Sequence, residues 1–423
     1  MDKYRINPSK LHGALSVPTS KSHSLRAILF AALAKGTSKI AHYLPSPDAD
    51  AMIAAVRMLG AEVKVIGNHL EIRGVAGKPH TADDVIQCGN SGQVLRFVGA
   101  LAGLMLTYTI FTGDASIRHN RPVKPLLDGL TQLGAFATSS RGDGYAPILI
   151  KGPLTHSSAK IEGQDSQPVS ALLIAGAFAP HPIEIHVIHP GEKPWIDLTL
   201  HWFDRLKIRY QRKEYSYYRM EGNSYIEAFS YEVPGDFSTA AFPIAAALIT
   251  NSELTLHNID MNDVQGDKAI IPILQKMGAR FAIDGKTLTV QKGSHLKGMR
   301  IDINDFIDAL PILAVIGCFA EGQTEIVNAA IARAKESDRI TAIATELKKM
   351  GARIEEKPDG LIIHHSTLHG AELNTYHDHR LVLALSVAAL AASSPSTIHG
   401  VACAAKTYPT FYDDFRAIGA NIT

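Results

Sequence analysis

The sequence has few cysteines and no excess of charge of either sign. Its 423 residues include three cysteines, Cys88, Cys318 and Cys403, which lie far apart and form no CxxC pair. This spacing argues against a disulfide framework and against a zinc site. The 42 Lys and Arg residues against 41 Asp and Glu residues give a net charge of +1. Because proteins that bind nucleic acid normally carry a basic surface, nucleic acid is not an expected partner.

Long apolar segments are also missing. The longest apolar run, residues 98–106, is too short to cross a bilayer, and the start MDKYRINPSK lacks the apolar core of a signal peptide. Together with the few cysteines, these features predict a cytoplasmic protein that does not use a membrane. A chain of this length exceeds one ordinary hydrophobic core, so two domains of about 200 residues are expected.

A short phrase recurs along the chain: a helical run, a glycine followed by alanine, and then alternating apolar residues. Glycine just after a helix supplies the left-handed backbone that ends it, and the alternation is typical of a strand. Steps of 74, 73, 71, 73 and 68 residues separate the copies, which are marked by Gly60, Gly134, Lys207, Gly278, Gly351 and Gly419. The third copy has Lys207 in place of glycine. A repeat of this length indicates repeated α/β subdomains.

Six strongly apolar helices follow the same period, and each begins after a polar cluster. Because these helices are apolar nearly all round, they are predicted to be buried. We therefore predict an α/β fold of two domains, each with three subdomains of buried helix, amphipathic helix and short strands. The N-terminal domain is predicted at residues 19–230, and residues 4–17 are predicted as one strand of the other domain. That C-terminal domain combines residues 1–18 with 231–423, and the chain crosses near 18–21 and 228–233.

The polar clusters at the helix starts are typical of anion sites. The first N–H groups of a helix are unpaired and carry the positive end of its dipole. Lys21 stands between Ser20 and Ser22, and Arg26 follows one turn later. Taken alone, this cluster is more often an ordinary helix cap with two solvated cations than an anion site. Its agreement with the other helix starts favours a shared site for anionic ligands.

Further clusters repeat this combination of cations with helix starts or loops. Asn90 to Gly92 precede a buried helix, Arg121 lies in a basic loop, and residues 333–339 join a strand to a helix. Arginine suits carboxylates and phosphates because it binds them with two parallel hydrogen bonds. Residues 377–380, His-Asp-His-Arg, include residue types that bind metal ions. No further ligand stands at a recognisable spacing and an arginine is adjacent, so we expect an anion there and no metal.

Several motifs together carry a resemblance that covers essentially the whole chain. They read SKSHSLRAILFAALA, CGNSGQVLR, GDASIRHNRP, DSQPVSALL, NDFIDA, RAKESDRI, YHDHR and AKTYPTF. In this order and spacing the chain resembles the 5-enolpyruvylshikimate-3-phosphate synthase family of enolpyruvyl transferases. The resemblance implies two inverse α/β domains of three subdomains each. It also implies transfer of the enolpyruvyl group of phosphoenolpyruvate to the 5-hydroxyl of shikimate 3-phosphate in an interdomain cleft, with no cofactor and as a monomer.

The resemblance also implies roles for single residues. The catalytic groups it implies are Lys21, Asp308, which takes the hydroxyl proton, and Glu336, which handles the proton at the methylene carbon. The phosphoenolpyruvate-binding residues it implies are Lys21, Gly92, Arg121, Gln167, Lys335, Arg339, Arg380 and Lys406. The shikimate 3-phosphate-binding residues it implies are Ser22, Arg26, Asp165, Ser166, Gln167, Asp308 and Lys335. Two anionic substrates explain the many cations, and addition followed by elimination needs one proton acceptor and one donor.

The chain departs from the family pattern mainly in the half that would bind the acceptor. There, Asp165 and Glu192 stand where the family usually or often has serine, and Trp195 where tyrosine is common. Beside the phosphoenolpyruvate pocket, Phe97 stands where proline is often found. An acid beside a phosphate is repulsive unless a cation offsets it. An enolpyruvyl transferase with a changed acceptor therefore stays an alternative. A non-catalytic anion-binding relative is less favoured because Asp308 and Glu336 are both present.

Two other relatives fit the sequence less well. The related UDP-N-acetylglucosamine enolpyruvyl transferase uses a loop cysteine as general acid, and the loop GDASIRHNRP contains none. An RNA-phosphate-processing relative with similar subdomains would need a larger basic surface than a net charge of +1 supplies.

Overall fold

The chain divides into two units in the computed structural model, which describes residues 2–423. The central unit runs from Lys21 to Val233. The terminal unit contains Pro234 to Thr423 together with the N-terminal segment as far as Ser20. Each unit has its own core of buried apolar side chains. Within residues 2–423, no helix combines the length and apolar character needed to cross a membrane.

Each unit contains three four-stranded sheets, and all six sheets share one topology. The first two strands of each sheet are parallel, and the remaining pairs are antiparallel. The strands are β1 Lys3–Asn7, β2 Ala14–Ser16, β3 Thr37–Ala41, β4 Glu62–Ile66, β5 His69–Arg73, β6 Ile86–Gln87, β7 Thr109–Thr112, β8 Phe136–Ser139, β9 Ile148–Lys151, β10 Ser158–Glu162, β11 Ile183–Ile188, β12 Tyr210–Lys213, β13 Tyr217–Met220, β14 Ser230–Glu232, β15 Leu254–His257, β16 Phe281–Asp284, β17 Thr287–Val290, β18 Arg300–Asp302, β19 Gln323–Val327, β20 Arg353–Lys357, β21 Gly360–His364, β22 Glu372–Asn374, β23 Ser396–His399 and β24 Asn421–Ile422. The sheet orders are β14-β3-β5-β4, β6-β7-β9-β8, β10-β11-β13-β12, β2-β15-β17-β16, β18-β19-β21-β20 and β22-β23-β1-β24.

Buried and amphipathic helices alternate along the chain, as the repeat predicts. The α-helices are α1 Lys21–Leu33, α2 Pro47–Met58, α3 Gly99–Ala102, α4 Ala115–His119, α5 Lys124–Gln132, α6 Ser166–Phe178, α7 Lys193–Arg205, α8 Phe237–Ile249, α9 Ile270–Met277, α10 Leu310–Phe319, α11 Arg339–Lys349, α12 His379–Leu390 and α13 Phe411–Ala417. Helices α1, α6, α8, α10 and α12 are buried over almost their whole length. The second buried helix differs from the prediction, because Val94–Val98 form a π-helical segment before α3.

Three strands, β1, β2 and β14, complete the sheets of repeats that lie far from them in the sequence. The strand predicted over residues 4–17 is wrong as a single element, since the chain forms β1 and β2 with Pro8 and the left-handed Gly13 (φ 90°) between them. Strand β1 joins the sheet of β23 and β24, and β2 pairs with β15, all within the terminal unit. In the central unit, β14 pairs with β3.

The glycines of the recurring phrase end the amphipathic helices in the left-handed conformation. Their φ angles run from 93° to 110° at Gly60, Gly134, Gly278, Gly351 and Gly419. Lys207 has a φ of 57° and adopts the same left-handed conformation at the copy without glycine. The third repeat therefore keeps the backbone geometry of the others although it has a side chain that disfavours it.

Gly360, in β21, lies very close to the backbone of the neighbouring strand β19. A Cβ atom at Gly360 would overlap the backbone carbonyl oxygen of Ile326, which cannot move aside without disturbing β19. We expect Gly360→Ala to lower the free energy of unfolding by about 1–3 kcal/mol.

At Gly99, in α3, the nearest atom to an added Cβ is the Ile150 Cδ1 at 3.5 Å. Because alanine favours a helix, Gly99→Ala should raise stability by about 0.5–1 kcal/mol.

Thermal unfolding of the two variants provides the measurement. The two glycine-to-alanine changes should shift the unfolding temperature in opposite directions. An unchanged midpoint for Gly360→Ala would contradict the close approach of β21 to β19.

Candidate active site

The predicted helix-start residues of α1 lie at the beginning of the central unit. Lys21 is the first residue of α1, and its Nζ lies 3.6 Å from Asp48 Oδ2. Ser22 is buried, and its hydroxyl accepts a hydrogen bond from Gln93 Nε2 at 3.2 Å. The helix start therefore has a lysine and a hydroxyl held by side chains of neighbouring elements.

Arg26 is a fully buried cation held by neutral groups. Its guanidinium donates to Thr199 Oγ1 at 3.1 and 3.0 Å, and to the carbonyl oxygens of Ser22 and Trp195 at 3.3 Å each. It also lies over the Phe97 ring, 5.0 Å from the centroid. Within residues 2–423 no carboxylate pairs with it, and burial lowers the pKa of Arg26 to about 9. The environment is therefore short of negative charge at this position.

Gly92 lies where three polar side chains meet. A Cβ atom there would lie 2.8 Å from Arg96 Nη1, 3.1 Å from Arg121 Nη1 and 3.1 Å from Gln167 Oε1. Arg121 donates to the Asn90 carbonyl oxygen at 3.1 Å and to Asn90 Oδ1 at 3.2 Å. Gly92, Arg121 and Gln167 are predicted to bind one ligand, and the structure brings them together. Glycine leaves room there for a ligand to approach the backbone.

Arg96 belongs to this group although the sequence-based site did not include it. Its Nη2 lies 3.0 Å from Asp165 Oδ2 and donates to the Pro122 carbonyl oxygen at 2.8 Å. Its Nη1 donates to Gln167 Oε1 at 3.3 Å. The available signal was the position of Arg96 one turn after Gly92. Its partner Asp165 is 69 residues away in sequence and could not be identified from spacing.

Two carboxylates surround the start of α6. Asp165 accepts the N–H of Gln167 at 3.0 Å and caps the helix. Glu192 is buried, has a left-handed φ of 45°, and accepts from the N–H and the hydroxyl of Ser166 at 3.1 and 3.3 Å. The donors expected to face an anionic ligand are thus bonded to carboxylates of the protein itself.

Arg339 is the centre of the charged cluster in the terminal unit. Its Nη1 donates to Asp308 Oδ1 at 2.7 Å, and its Nη2 to Glu336 Oε2 at 2.9 Å. Its Nε donates to Asp378 Oδ2 at 2.8 Å. Burial disfavours its charge, but Asp378, Glu336 and Asp308 outweigh burial and raise the pKa of Arg339 well above its ordinary value. Arg339 therefore stays a cation and joins three carboxylates from three segments.

Two more cations complete this cluster, which we call the Arg339 network. Arg380 Nη2 donates to Asp308 Oδ2 at 3.0 Å and to Ser238 Oγ at 2.7 Å. Lys406 Nζ donates to Glu336 Oε1 at 2.7 Å. Lys335 is half-buried in the turn just before Glu336. Asp308 is the most exposed of the three carboxylates, at 23% against 8% for Glu336 and 0% for Asp378. Its position suits contact with a ligand.

A buried group of possible metal ligands lies within the Arg339 network. One ligand atom each of Glu336, Asp378 and His379 lies within 4.8 Å of the others. The sequence did not show this group, because Glu336 is 42 residues before Asp378. Arg339 and Lys406 already donate to the two carboxylates. A metal ion would face both cations, so the arrangement suits an anionic ligand better.

Comparison with known proteins agrees with the geometry. Residues 6–415 match the sequence profile of the family described as EPSP synthase (3-phosphoshikimate 1-carboxyvinyltransferase). The chain is 42% identical over 421 residues to a 3-phosphoshikimate 1-carboxyvinyltransferase of Chlamydia caviae, covering 99% of this chain and 94% of that protein. It is 40% identical over 419 residues to one of Acetivibrio thermocellus, covering 99% of each.

A solved structure shows the same fold. The EPSP synthase from Acinetobacter baumannii superimposes with a TM-score of 0.83 at 28% identity, and the match covers 100% of both chains. The predicted fold class is confirmed by this match. On the profile, the relatives and the fold together, the chain belongs to the EPSP synthase family of 3-phosphoshikimate 1-carboxyvinyltransferases.

Proposed function

We propose that this chain transfers the enolpyruvyl group of phosphoenolpyruvate to the 5-hydroxyl of shikimate 3-phosphate and releases phosphate. The observation that carries the proposal is the Arg339 network. It presents a partly exposed carboxylate, Asp308, between the guanidinium groups of Arg339 and Arg380. Membership of the family supports the same reaction. It would place the enzyme in the shikimate pathway of aromatic amino-acid biosynthesis.

The proton transfers fall to two carboxylates of the Arg339 network. In the addition step, the 5-hydroxyl oxygen bonds to the phosphate-bearing carbon of phosphoenolpyruvate, and the methylene carbon gains a proton. In the elimination step, the C–O bond to phosphate breaks and a proton leaves the resulting methyl group. We assign the hydroxyl proton to Asp308 and the proton at carbon to Glu336, with Lys21 as the third catalytic group. Fixed hydrogen bonds orient both carboxylates for these transfers.

The cations are assigned to the substrates' phosphate and carboxylate groups. In the terminal unit, Lys335, Arg339, Arg380 and Lys406 are proposed to bind phosphoenolpyruvate. In the central unit, Gly92, Arg121 and Gln167 serve the same substrate, with Lys21. The proposed shikimate 3-phosphate contacts are Ser22, Arg26, Asp165, Ser166, Gln167, Asp308 and Lys335. Arginine and lysine suit these anions, and Gly92 allows close backbone approach.

The domain boundaries, the cellular location, the oligomeric state and the cofactor requirement belong to the same proposal. We assign the predicted domains to the central and terminal units, with the boundaries at residues 20/21 and 233/234. The enzyme is proposed to act as a cytoplasmic monomer without a metal or an organic cofactor. The phosphate and carboxylate of the substrates are bound by side chains, and the proton transfers need only carboxylates.

A changed acceptor is the second candidate function, and the start of α6 favours it. Glu192 accepts both the N–H and the hydroxyl of Ser166. A phosphate that used these donors would have to displace a carboxylate. An acceptor without a phosphate at this position would avoid that competition.

Phosphate release separates the two candidates. With phosphoenolpyruvate and shikimate 3-phosphate together, we expect the enzyme to release phosphate, and with phosphoenolpyruvate alone we expect none. Phosphate can be measured colorimetrically and the enolpyruvyl product by mass spectrometry. Binding of phosphoenolpyruvate without turnover of shikimate 3-phosphate would contradict the first candidate and support a changed acceptor.

Replacement of Asp308 tests the assigned proton acceptor. Asp308→Asn keeps the size of the side chain but removes the base, so turnover should fall by about 10²–10⁴-fold. Asp305→Asn is the matched control, because Asp305 is exposed and lies in the same segment. Steady-state kinetics and the unfolding temperature should be measured for both variants. A near-normal rate for Asp308→Asn would show that another group takes the proton.

Replacement of Arg26 tests the proposed binding of shikimate 3-phosphate. Because the described part of the chain supplies no carboxylate to this buried cation, a bound anion should gain a charge-assisted hydrogen bond worth about 1.5–3 kcal/mol. We expect Arg26→Met to weaken binding of shikimate 3-phosphate at least tenfold, measured by calorimetry. Arg205→Met, at the end of α7, is the control and should bind normally. Equal affinity for both variants would remove Arg26 from the site.

A further inference from the structure

Two consecutive residues before α12 have a backbone conformation that residues with a Cβ atom avoid. Tyr376 has a φ of 52° and His377 a φ of 55°. The left-handed region is unfavourable for such residues, and two in succession persist only where other contacts hold them. The strained turn leads directly into Asp378, the cap of α12 and a member of the Arg339 network.

A buried carboxylate on α11 holds this turn. Glu346 is fully buried, and its Oε1 accepts the Tyr376 hydroxyl at 2.8 Å. Its Oε2 accepts the N–H of Asn374 at 2.9 Å, and Lys349 Nζ donates to both oxygens at 2.8 Å. A buried carboxylate is costly unless it is paired in this way. Burial and the bond to Glu346 raise the pKa of Tyr376 to about 12, so the phenol remains a donor at neutral pH.

The turn determines where Asp378 lies, and Asp378 in turn fixes two arginines. Asp378 Oδ1 accepts the N–H of Arg380 at 2.9 Å and Arg339 Nη2 at 3.2 Å. Its Oδ2 accepts Arg339 Nε at 2.8 Å and the Ser337 hydroxyl at 3.0 Å. Arg339 and Arg380 then hold the two oxygens of Asp308. Among the residues described, Glu346 bonds to none of these side chains and acts on them only through the turn.

We propose that Glu346, acting through Tyr376, is a positioning residue that fixes the strained turn and thereby aligns Asp378 with Arg339 and Arg380. Loosening the turn lets its two residues leave the left-handed region and moves the cap of α12. Both arginines are then held less well. The kinetic consequence rests on the proposed function, whereas the consequence for the turn itself does not.

The test uses Tyr376→Phe and Glu346→Gln in the full-length enzyme. Tyr376 is partly exposed, so Tyr376→Phe removes only the hydroxyl bond and should fold. We expect KM for phosphoenolpyruvate to rise about tenfold in each variant. KM for shikimate 3-phosphate should rise less, because most of the contacts proposed for it lie in the central unit. Since both variants disturb the same contact between Tyr376 and Glu346, adding Tyr376→Phe to Glu346→Gln should cause little further loss. Glu355→Gln is the matched control, because Glu355 is exposed on β20 and pairs with Lys357 at the surface.

Hydrogen exchange provides a readout that does not depend on activity. The Arg380 amide should exchange faster in Tyr376→Phe than in the wild type and in Glu355→Gln. Unchanged exchange together with an unchanged KM for phosphoenolpyruvate would overturn the proposal. A fall in kcat alone, with normal KM and exchange, would also overturn it, since it would indicate loss of folded enzyme. If the wild type turns over neither substrate, the proposed function fails and the exchange rates still decide the role of Glu346.

Discussion

The terminal unit depends on one buried cation, the guanidinium of Arg339. A charge removed from water must be paired, and the chain pairs this one with three carboxylates. These carboxylates come from the segment before α10, the turn before α11 and the cap of α12. One side chain thus ties together three connections that would otherwise be separate loops. Because the geometry needed to satisfy the buried charge also fixes Asp308 and Glu336, stability and the orientation of the proposed acid and base share one cause.

The helix starts are less open to ligands than their dipoles alone indicate. Aspartate side chains cap α6, α8 and α12, and each accepts an N–H group in the first turn of its helix. Each cap removes part of the positive end that an anion would use. The caps at α6 and α12 also pair with Arg96 and Arg339. At α6 and α12 the capping carboxylates therefore also position cations. We expect a ligand to contact those cations rather than the capped N–H groups.

The sequence predicted what depends on local chemistry and missed what depends on long-range pairing. The helix-ending glycines, the apolar helices and the motif residues from Lys21 to Lys406 can be recognised locally. The strand predicted over residues 4–17 was wrong because Pro8 and Gly13 divide it. Glu346 resembles an ordinary surface residue of a helix that ends in lysines, and only the fold brings Tyr376 to it. The pairing of Arg96 with Asp165 likewise needs contacts across many residues.

Two arginines, equally buried, show how the units differ. The pKa of Arg339 is raised well above its ordinary value because three carboxylates outweigh burial. The pKa of Arg26 is lowered to about 9 because burial disfavours its charge. Carboxylates of the protein pair with Arg339, which holds Asp308 and Glu336 in place. Among residues 2–423, the partners of Arg26 are neutral oxygens and an aromatic face. A buried charge that no carboxylate among residues 2–423 compensates gains most from an anionic ligand, and for this reason we infer that Arg26 contributes to binding as well as to the fold.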